Sequence, residues 1–151
     1  MASVPNLRTN VLLRSEQSGS HISMIENVIP AHSAGPPLHT HDFDEAFYIL
    51  EGELIFLVED ELITKRAGEL AFAPRNVAHT LANHSDEDAR YLLVCTPAGF
   101  ERHFGRIAAA SQGVEPPDWA LQPIPEVIRV GPQITPGDVV VTNPAGTEPA
   151  P

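Results

Sequence analysis

The chain has 151 residues, of which 42% are hydrophobic and 19% are charged, so its size and composition are those of one globular domain. Acidic residues outnumber basic residues by 20 to 9, and the formal charge of -11 without a Lys or Arg block excludes nucleic acid as an expected partner. No apolar stretch has the length of a membrane span or the pattern of a signal peptide, so we expect no membrane contact and a cytoplasmic protein.

Short β-like segments separated by turn residues fill the chain from Val11 to Thr96. This density of strands and turns predicts an all-β sandwich or barrel, since no segment has room for a crossover helix. The predicted strands are Val11–Arg14, His21–Ile29, Leu38–His41, Glu45–Leu50, Glu53–Val58, Leu62–Lys65, Leu70–Ala73, His79–Ala82 and Arg90–Thr96.

The sequence changes character after Pro97. Phe100, Phe104 and Ile107 recur at helical spacing, which predicts one amphipathic helix at about 98–110 that packs on the barrel. Residues 116–151 contain nine of the fifteen prolines, so we predict a barrel with its helix in residues 1–115 and a Pro-rich arm in 116–151 that is not a separate domain.

Two pieces of the arm, 126–130 and 138–143, have the composition of isolated strands. A strand needs an edge to pair with, so each is expected to pair with its own barrel or with a neighbouring subunit.

A group of histidines and one glutamate forms the candidate site. Side chains alternate between the two faces of a strand, so His39 and His41 project to the same side. Glu45 can join them only if the chain bends at residues 42–44, where two aspartates favour a turn. His79, which begins the strand after a predicted turn at 74–76, can face the first pair from a second strand.

Three imidazoles and one carboxylate suit a divalent first-row metal and leave two octahedral positions open. The chain has a single cysteine, Cys95, so a thiolate cluster and an internal disulfide are excluded and the metal must be bound by His and carboxylate groups. Fe, Mn or Ni is favoured, and Zn or Cu fits the same ligands. Asp42 and Asp44 are candidate hydrogen-bond partners of the histidines.

The spacing of these residues resembles that of the cupins. The first cupin motif is matched by Gly35, His39, His41, Glu45 and Gly52. The second is matched by Gly68, Pro74, His79 and Asn83, with Asn76 at a position that is usually glycine. Asn tolerates a left-handed backbone, so the turn at that position is expected to form.

The resemblance implies a double-stranded β-helix, the cupin jelly-roll barrel, with a metal inside it held by His39, His41, Glu45 and His79. The stretches "GPPLHTHDFDEAFYILEGE" and "TPAGFERHF" further resemble the quercetin 2,3-dioxygenase-like branch of single-domain cupins. On this basis we expect a metal-dependent dioxygenase that acts on a small enolic or aromatic substrate, flavonol-like or diketone-like, with dioxygen as the second substrate. Glu45 would then be both a metal ligand and the catalytic base.

Several apolar side chains are candidates for the substrate pocket. Phe47 and Ile49 share the parity of Glu45, whereas Tyr48 and Leu50 have the opposite parity. The candidate wall is Phe47, Ile49, Phe72, Leu81, Leu93 and Phe100. The remaining histidines, His21, His32, His84 and His103, have no motif partner and are expected to be solvated or locally hydrogen-bonded.

Other functions fit the same ligand set. A cupin can bind a metabolite as a sensor or store without converting it, and fold with metal does not fix function. A metal-assisted isomerase or lyase is a further alternative, but such sites use Lys or Arg inside the barrel and the candidates Lys65, Arg66, Arg75 and Arg90 have no clear inward direction. Open sheet edges and the Pro-rich arm favour a homodimer.

Overall fold

The structure is a computed structural model that describes residues 8–136. It confirms the predicted all-β fold: two five-stranded antiparallel sheets enclose one core, as in a jelly-roll barrel. The first sheet has the strand order β1-β2-β9-β4-β7 and the second has the order β10-β3-β8-β5-β6. The strands are β1 (Arg8–Leu13), β2 (Ser23–Ile29), β3 (His39–Thr40), β4 (Asp44–Glu51), β5 (Glu53–Val58), β6 (Glu61–Arg66), β7 (Leu70–Ala73), β8 (His79–Ala82), β9 (Ala89–Thr96) and β10 (Ile128–Arg129).

Alternating burial on the long strands follows directly from their sequences. In β2 and β9 every second side chain is buried, because one face of each strand packs into the core and the other faces outward. Ile25, Phe47, Ile49 and Leu93 are among the inward residues and are at most 3% exposed. Each buried side chain of this size stabilises the fold by about 1.5–3 kcal/mol.

Two helices lie outside the sheets. The four-residue helix α1 (Ser15–Ser18), which the sequence analysis did not predict, connects β1 to β2. The helix α2 (Glu101–Ser111) lies where a helix at about 98–110 was expected, and Phe104 is buried against the core together with the preceding Phe100. No helix within residues 8–136 combines the length and apolar character that a membrane crossing requires.

The described part of the arm returns to its own barrel. A 3₁₀ helix (Asp118–Leu121) packs on α2, and β10 then pairs with β3. Farther along, Ile134 is 3% exposed because it packs with Ile55 and Ala82 on the second sheet. The other strand-like piece, 138–143, lies outside the described residues.

Two predicted turn features position the site. The chain bends at Asp42 and Phe43 between β3 and β4, as the ligand set requires. Asn76 adopts a left-handed conformation with φ of 63°, so Asn replaces the usual glycine of this turn without loss of the conformation. Its N–H donates to the carbonyl of His41 at 2.7 Å, which ties the turn to the bend.

Candidate metal centre

Four buried side chains converge where the two sheets meet. His39 on β3 is paired directly with His79 on β8, and both belong to the second sheet. Glu45 projects from β4 of the first sheet, and His41 lies in the link between the sheets. One ligand atom from each of the four side chains lies within 4.8 Å of the others. The structure therefore brings together all four residues that the motifs indicated.

The three histidines are oriented in the same way by the backbone. Each Nδ1–H donates to the carbonyl of a residue two positions away: His39 to Pro37 at 2.7 Å, His41 to Phe43 at 3.0 Å and His79 to Val77 at 2.9 Å. A neutral imidazole whose Nδ1 carries the hydrogen has its lone pair on Nε2. These local hydrogen bonds therefore make all three Nε2 atoms available as ligands.

The distances within the group leave room for one shared cation. Glu45 Oε1 lies 2.7 Å from His41 Nε2 and 2.8 Å from His79 Nε2, and these two nitrogens are 3.1 Å apart. With the hydrogens on Nδ1, all of these atoms are acceptors, so they repel one another unless a proton or a cation lies between them. Adjacent ligands at about 2 Å from one octahedral ion are about 2.8 Å apart, so these three atoms are spaced like ligands of a single divalent metal.

The pKa values of Glu45, His79 and His39 are shifted by burial and by the short distances between these side chains. Burial alone would raise the pKa of Glu45, but its contacts with His41 and His79 outweigh burial and lower the pKa to about 2. Burial alone would lower the pKa of His79, but its contact with Glu45 outweighs burial and raises the pKa. Burial and the neighbouring His79 lower the pKa of His39 to about 4. A metal bound by Glu45 and His79 would displace any proton that the two side chains share.

The aspartates of the bend are not partners of the histidines. Asp44 Oδ1 accepts a hydrogen bond from the backbone N–H of Arg75 at 2.8 Å, and Asp44 Oδ2 pairs with the guanidinium at 3.1 Å. Asp42 accepts a hydrogen bond from the Asn76 side chain at 3.4 Å. Both carboxylates therefore tie the bend to the turn at 74–76, and the histidines are oriented by carbonyls instead.

A small apolar cavity adjoins the metal ligands. It has a volume of about 50 Å³, and His39, Glu45 and His79 form part of its wall. Such a volume holds a few water molecules. Four of the predicted pocket residues line it, namely Phe47, Leu81, Leu93 and Phe100.

Two predicted pocket residues lie elsewhere. Phe72 is 45% exposed, so its prediction as a pocket residue was wrong. The register explains why: Ala73 lies opposite Glu45 and Ala71 opposite Phe47, so the two alanines face inward and Phe72 faces out. Ile49 is fully buried in the core, as its parity predicts, but is not part of the cavity wall.

Six further residues of the wall were not predicted from the sequence. Tyr91 is 3% exposed, its hydroxyl accepts a hydrogen bond from Asn27 at 3.0 Å, and burial raises its pKa, so the phenol stays protonated. His103, expected to be solvated, also lines the cavity. The sequence contains a signal for this position, because the spacing of His103 from Phe100 and Ile107 places it on the same side of the helix as those apolar residues. The six are Ile29, Pro36, Tyr91, His103, Phe104 and Ile107.

Comparisons with known proteins agree with the fold. Residues 25–95 match the family model of the cupin domain. No curated protein matches the sequence. A predicted oxalate decarboxylase from Thermotoga maritima is 25% identical, with a TM-score of 0.57 over 60% of this chain and 80% of that chain.

Two further solved structures share the fold at lower identity. The polyketide cyclase RemF from Streptomyces resistomycificus is 20% identical, with a TM-score of 0.55 over 62% of this chain and 66% of that chain. KdgF from Halomonas sp. is 14% identical, with a TM-score of 0.57 over 67% and 87% of the two chains. The domain match supports the cupin superfamily for residues 25–95, and these two structures show a shared fold alone.

Proposed function

We propose that this protein is a metal-dependent dioxygenase that acts on a small enolic, diketone-like substrate. The observation that carries the proposal is the position of the four ligands His39, His41, Glu45 and His79 beside an otherwise apolar cavity. A divalent metal bound there would supply a Lewis acid and open positions for an enolate and dioxygen. Fe, Mn and Ni are the preferred metals, because a reaction with dioxygen requires a redox-active ion.

The residues of the chain have distinct roles in this proposal. Glu45 Oε1 lies between His41 and His79, whereas the contact of Oε2 within residues 8–136 is with the Cys95 thiol, at 3.9 Å. Oε2 is therefore the oxygen that can take the proton of an enolic substrate. The thiol does not compete for that role, because burial raises the pKa of Cys95 well above its ordinary value. The apolar wall excludes water from the reacting atoms.

The cavity size favours a diketone over a flavonol. Pockets for drug-sized ligands measure about 300–1,000 Å³, and this cavity measures about 50 Å³. A flavonol would require α2 to move away from the barrel, whereas a compact enol of a few heavy atoms requires much less rearrangement. We therefore narrow the proposed substrate class to short-chain enolisable diketones.

Oxygen consumption tests the proposal. The protein is loaded with Fe(II) under nitrogen, and acetylacetone is added with air-saturated buffer in an oxygen electrode. We expect stoichiometric oxygen uptake that disappears in Glu45→Gln, because that variant lacks the carboxylate base. Absence of uptake with Fe(II), Mn(II) and Ni(II), on both acetylacetone and a flavonol, would contradict the proposal.

A lyase is the second candidate, because a similar structure is described as a predicted oxalate decarboxylase. The cavity argues against a dianionic substrate, since its wall contains Glu45 and neither Lys nor Arg. Lys65 is buried but is not part of that wall. Release of carbon dioxide from oxalate by the Mn(II)-loaded protein would favour the lyase.

We also propose that the chain forms a homodimer through the outer face of the first sheet. Tyr48, Leu70 and Phe72 are 40–49% exposed there and lie side by side on β4 and the edge strand β7. The arm covers part of the second sheet through Ile134, but within residues 8–136 no segment covers these three side chains. A second copy of the chain would bury them. The cytoplasmic location stays a prediction from the sequence.

A further inference from the structure

One face of α2 closes the cavity on the side away from the core strands. Phe100, His103, Phe104 and Ile107 are spaced by three and four residues, so they lie on the same side of the helix. All four line the cavity that also contains His39, Glu45 and His79. His103 is therefore a polar residue in an apolar stripe that faces the candidate metal centre.

The imidazole of His103 differs from the other polar side chains of α2 in having no hydrogen-bond partner among residues 8–136. Glu101 accepts hydrogen bonds from Ser15, and Arg102 and Arg106 donate to carbonyls of the arm. The remaining one, Ser111, donates to a carbonyl of its own helix. The ring is partly buried in a largely apolar wall, so its nitrogens are free to hydrogen-bond a ligand in the cavity.

The ring is nevertheless held in a fixed position. It stacks on Phe100 at 5.2 Å between centroids and meets Phe104 edge-on at 5.4 Å. Phe100 in turn contacts Phe43, which stacks on the ligand His41 at 3.6 Å. This column of rings connects α2 to the metal centre, so His103 keeps a defined position relative to a ligand in the cavity.

The helix that carries His103 is anchored at both sides. At its start, Glu101 accepts hydrogen bonds from the Ser15 hydroxyl at 2.6 Å and from the Gly99 N–H at 2.6 Å. Along its outer side, Arg106 donates to the carbonyls of Ala120 at 2.7 Å and Gln122 at 2.9 Å. These contacts fix the helix over the cavity without using His103.

We propose that His103 hydrogen-bonds an oxygen of the substrate from the α2 side while the metal centre binds that substrate from the other side. The inference rests on the proposed function and adds a substrate-binding residue to it. Burial, together with the nearby Arg106, lowers the pKa of His103 to about 4. The ring is therefore neutral at pH 7 and can both donate and accept a hydrogen bond.

Two substitutions separate hydrogen bonding from ring packing. His103→Phe keeps an aromatic ring in the stack and removes the nitrogens, whereas His103→Gln keeps a hydrogen-bonding group and removes the ring. The probe is acetylacetone, titrated by calorimetry into Mn(II)-loaded protein under nitrogen, so that no turnover occurs. His21→Phe is the matched control, since His21 is exposed and is not part of the cavity wall.

We expect His103→Phe to weaken acetylacetone binding by about tenfold, the equivalent of one hydrogen bond. His103→Gln should recover part of that loss, and His21→Phe should bind like the wild type. Metal affinity and the melting temperature should stay unchanged in His103→Phe, because neither depends on the imidazole nitrogens.

Three results would overturn the inference: equal affinity in the wild type and His103→Phe, a loss in His103→Gln that His103→Phe does not share, or failure of the wild type to bind acetylacetone. The dioxygenase proposal fails separately. Binding of acetylacetone that depends on His103, without oxygen uptake, would leave the inference standing and remove the proposed reaction.

Discussion

Single hydrogen bonds decide which nitrogen of each histidine is a ligand. The carbonyls of Pro37, Phe43 and Val77 each accept the Nδ1–H of the histidine two positions away. Because acceptor and histidine are so close in sequence, local backbone conformation sets the tautomer before any ion binds. Backbone carbonyls also have no protonation state to lose, so this orientation holds over a wide pH range.

Replacing His79 should remove most of the metal affinity. His79→Ala deletes one of four ligands and leaves Glu45 with a single histidine contact, so we expect a loss larger than the roughly 10–100-fold that follows from removing an outer hydrogen-bond partner. Metal content by mass spectrometry and competition with a chelator measure it. The exposed His21→Ala is the control, and retention of wild-type affinity by His79→Ala would show that the four groups do not share an ion.

Glu101 should make stability depend on acid pH. Burial would raise its pKa, but hydrogen bonds from Ser15 and Gly99 outweigh burial and lower it below the ordinary 4.5. A lowered pKa in the folded state contributes stability above pH 4.5 that is lost as the pH falls through the folded value. Protonation removes that contribution because the carboxylate can no longer accept all of these hydrogen bonds.

The comparison of wild type with Glu101→Gln tests this contribution. At neutral pH we expect Glu101→Gln to lower the free energy of unfolding by about 1–3 kcal/mol. The difference between the two proteins should shrink as the pH falls below 4.5, whereas other acid-sensitive groups affect both proteins alike. Urea unfolding at a series of pH values measures it, and a difference that is constant with pH would contradict the assignment.

Pairs of strands and turns set the positions of the ligands. The pairing of β3 with β8 places His39 opposite His79, and the pairing of β4 with β7 gives Glu45 the small Ala73 as its neighbour. The bend at 42–44 and the turn at 74–76 are held together by Asp44 and Arg75. The geometry of the centre is thus a property of two neighbouring strand pairs, not of any single loop.

Gly35 is needed because another strand passes very close to it. A Cβ added to Gly35 would overlap the carbonyl oxygen of Leu81 on β8, so the backbone would have to move. We expect Gly35→Ala to lower the free energy of unfolding by about 3 kcal/mol or more. Metal affinity should fall as well, since β8 also carries His79.

Chemical unfolding and metal content together test the Gly35→Ala prediction. Ala34→Ser is the control, because Ala34 is exposed and adjacent to Gly35, and the unfolding midpoint of this variant should stay near that of the wild type. A Gly35→Ala protein with wild-type stability would mean that the loop at Gly35 does not lie against β8 as described.

Within residues 8–136, the outer face of the first sheet has an exposed apolar patch. The arm returns to the barrel through β10 and Ile134, both on the second sheet. Tyr48, Leu70 and Phe72 on the first sheet stay exposed. An exposed apolar face at a sheet edge favours association. Because the described part of the arm packs on the second sheet, the first sheet is the one that can bind a second copy of the chain.

Leu70→Glu/Phe72→Glu should convert the proposed dimer into a monomer. For the wild type we expect sedimentation at twice the chain mass of 16.3 kDa, and for the variant a mass near 16.3 kDa with unchanged metal content. Leu121→Glu is the control, since Leu121 is comparably exposed but lies in the 3₁₀ helix. A wild type that sediments as a monomer at micromolar concentration would contradict the proposal.

Local patterns in the amino-acid sequence are enough to predict most of the strands and the four candidate ligands. Alternation of side chains on a strand, turn preferences at Asp42 and Asn76, and the spacing of His39, His41, Glu45 and His79 are all local properties. Local rules therefore predict which side chains share a face and give the strand bounds approximately; β1, for example, is predicted at Val11–Arg14 and lies at Arg8–Leu13. They also predict the bend without which Glu45 could not reach the histidines.

Which faces point inward and what closes the cavity depend on contacts between residues far apart in the chain. Phe72 was assigned to the pocket because it is large and apolar, but its strand register against β4 turns it outward. His103 belongs to neither of the two sequence motifs. It reaches the cavity because α2 packs on the barrel, through contacts with residues far away in the chain. The direction of a side chain on a strand and the position of a helix on the barrel both depend on non-local packing, which a local sequence pattern does not encode.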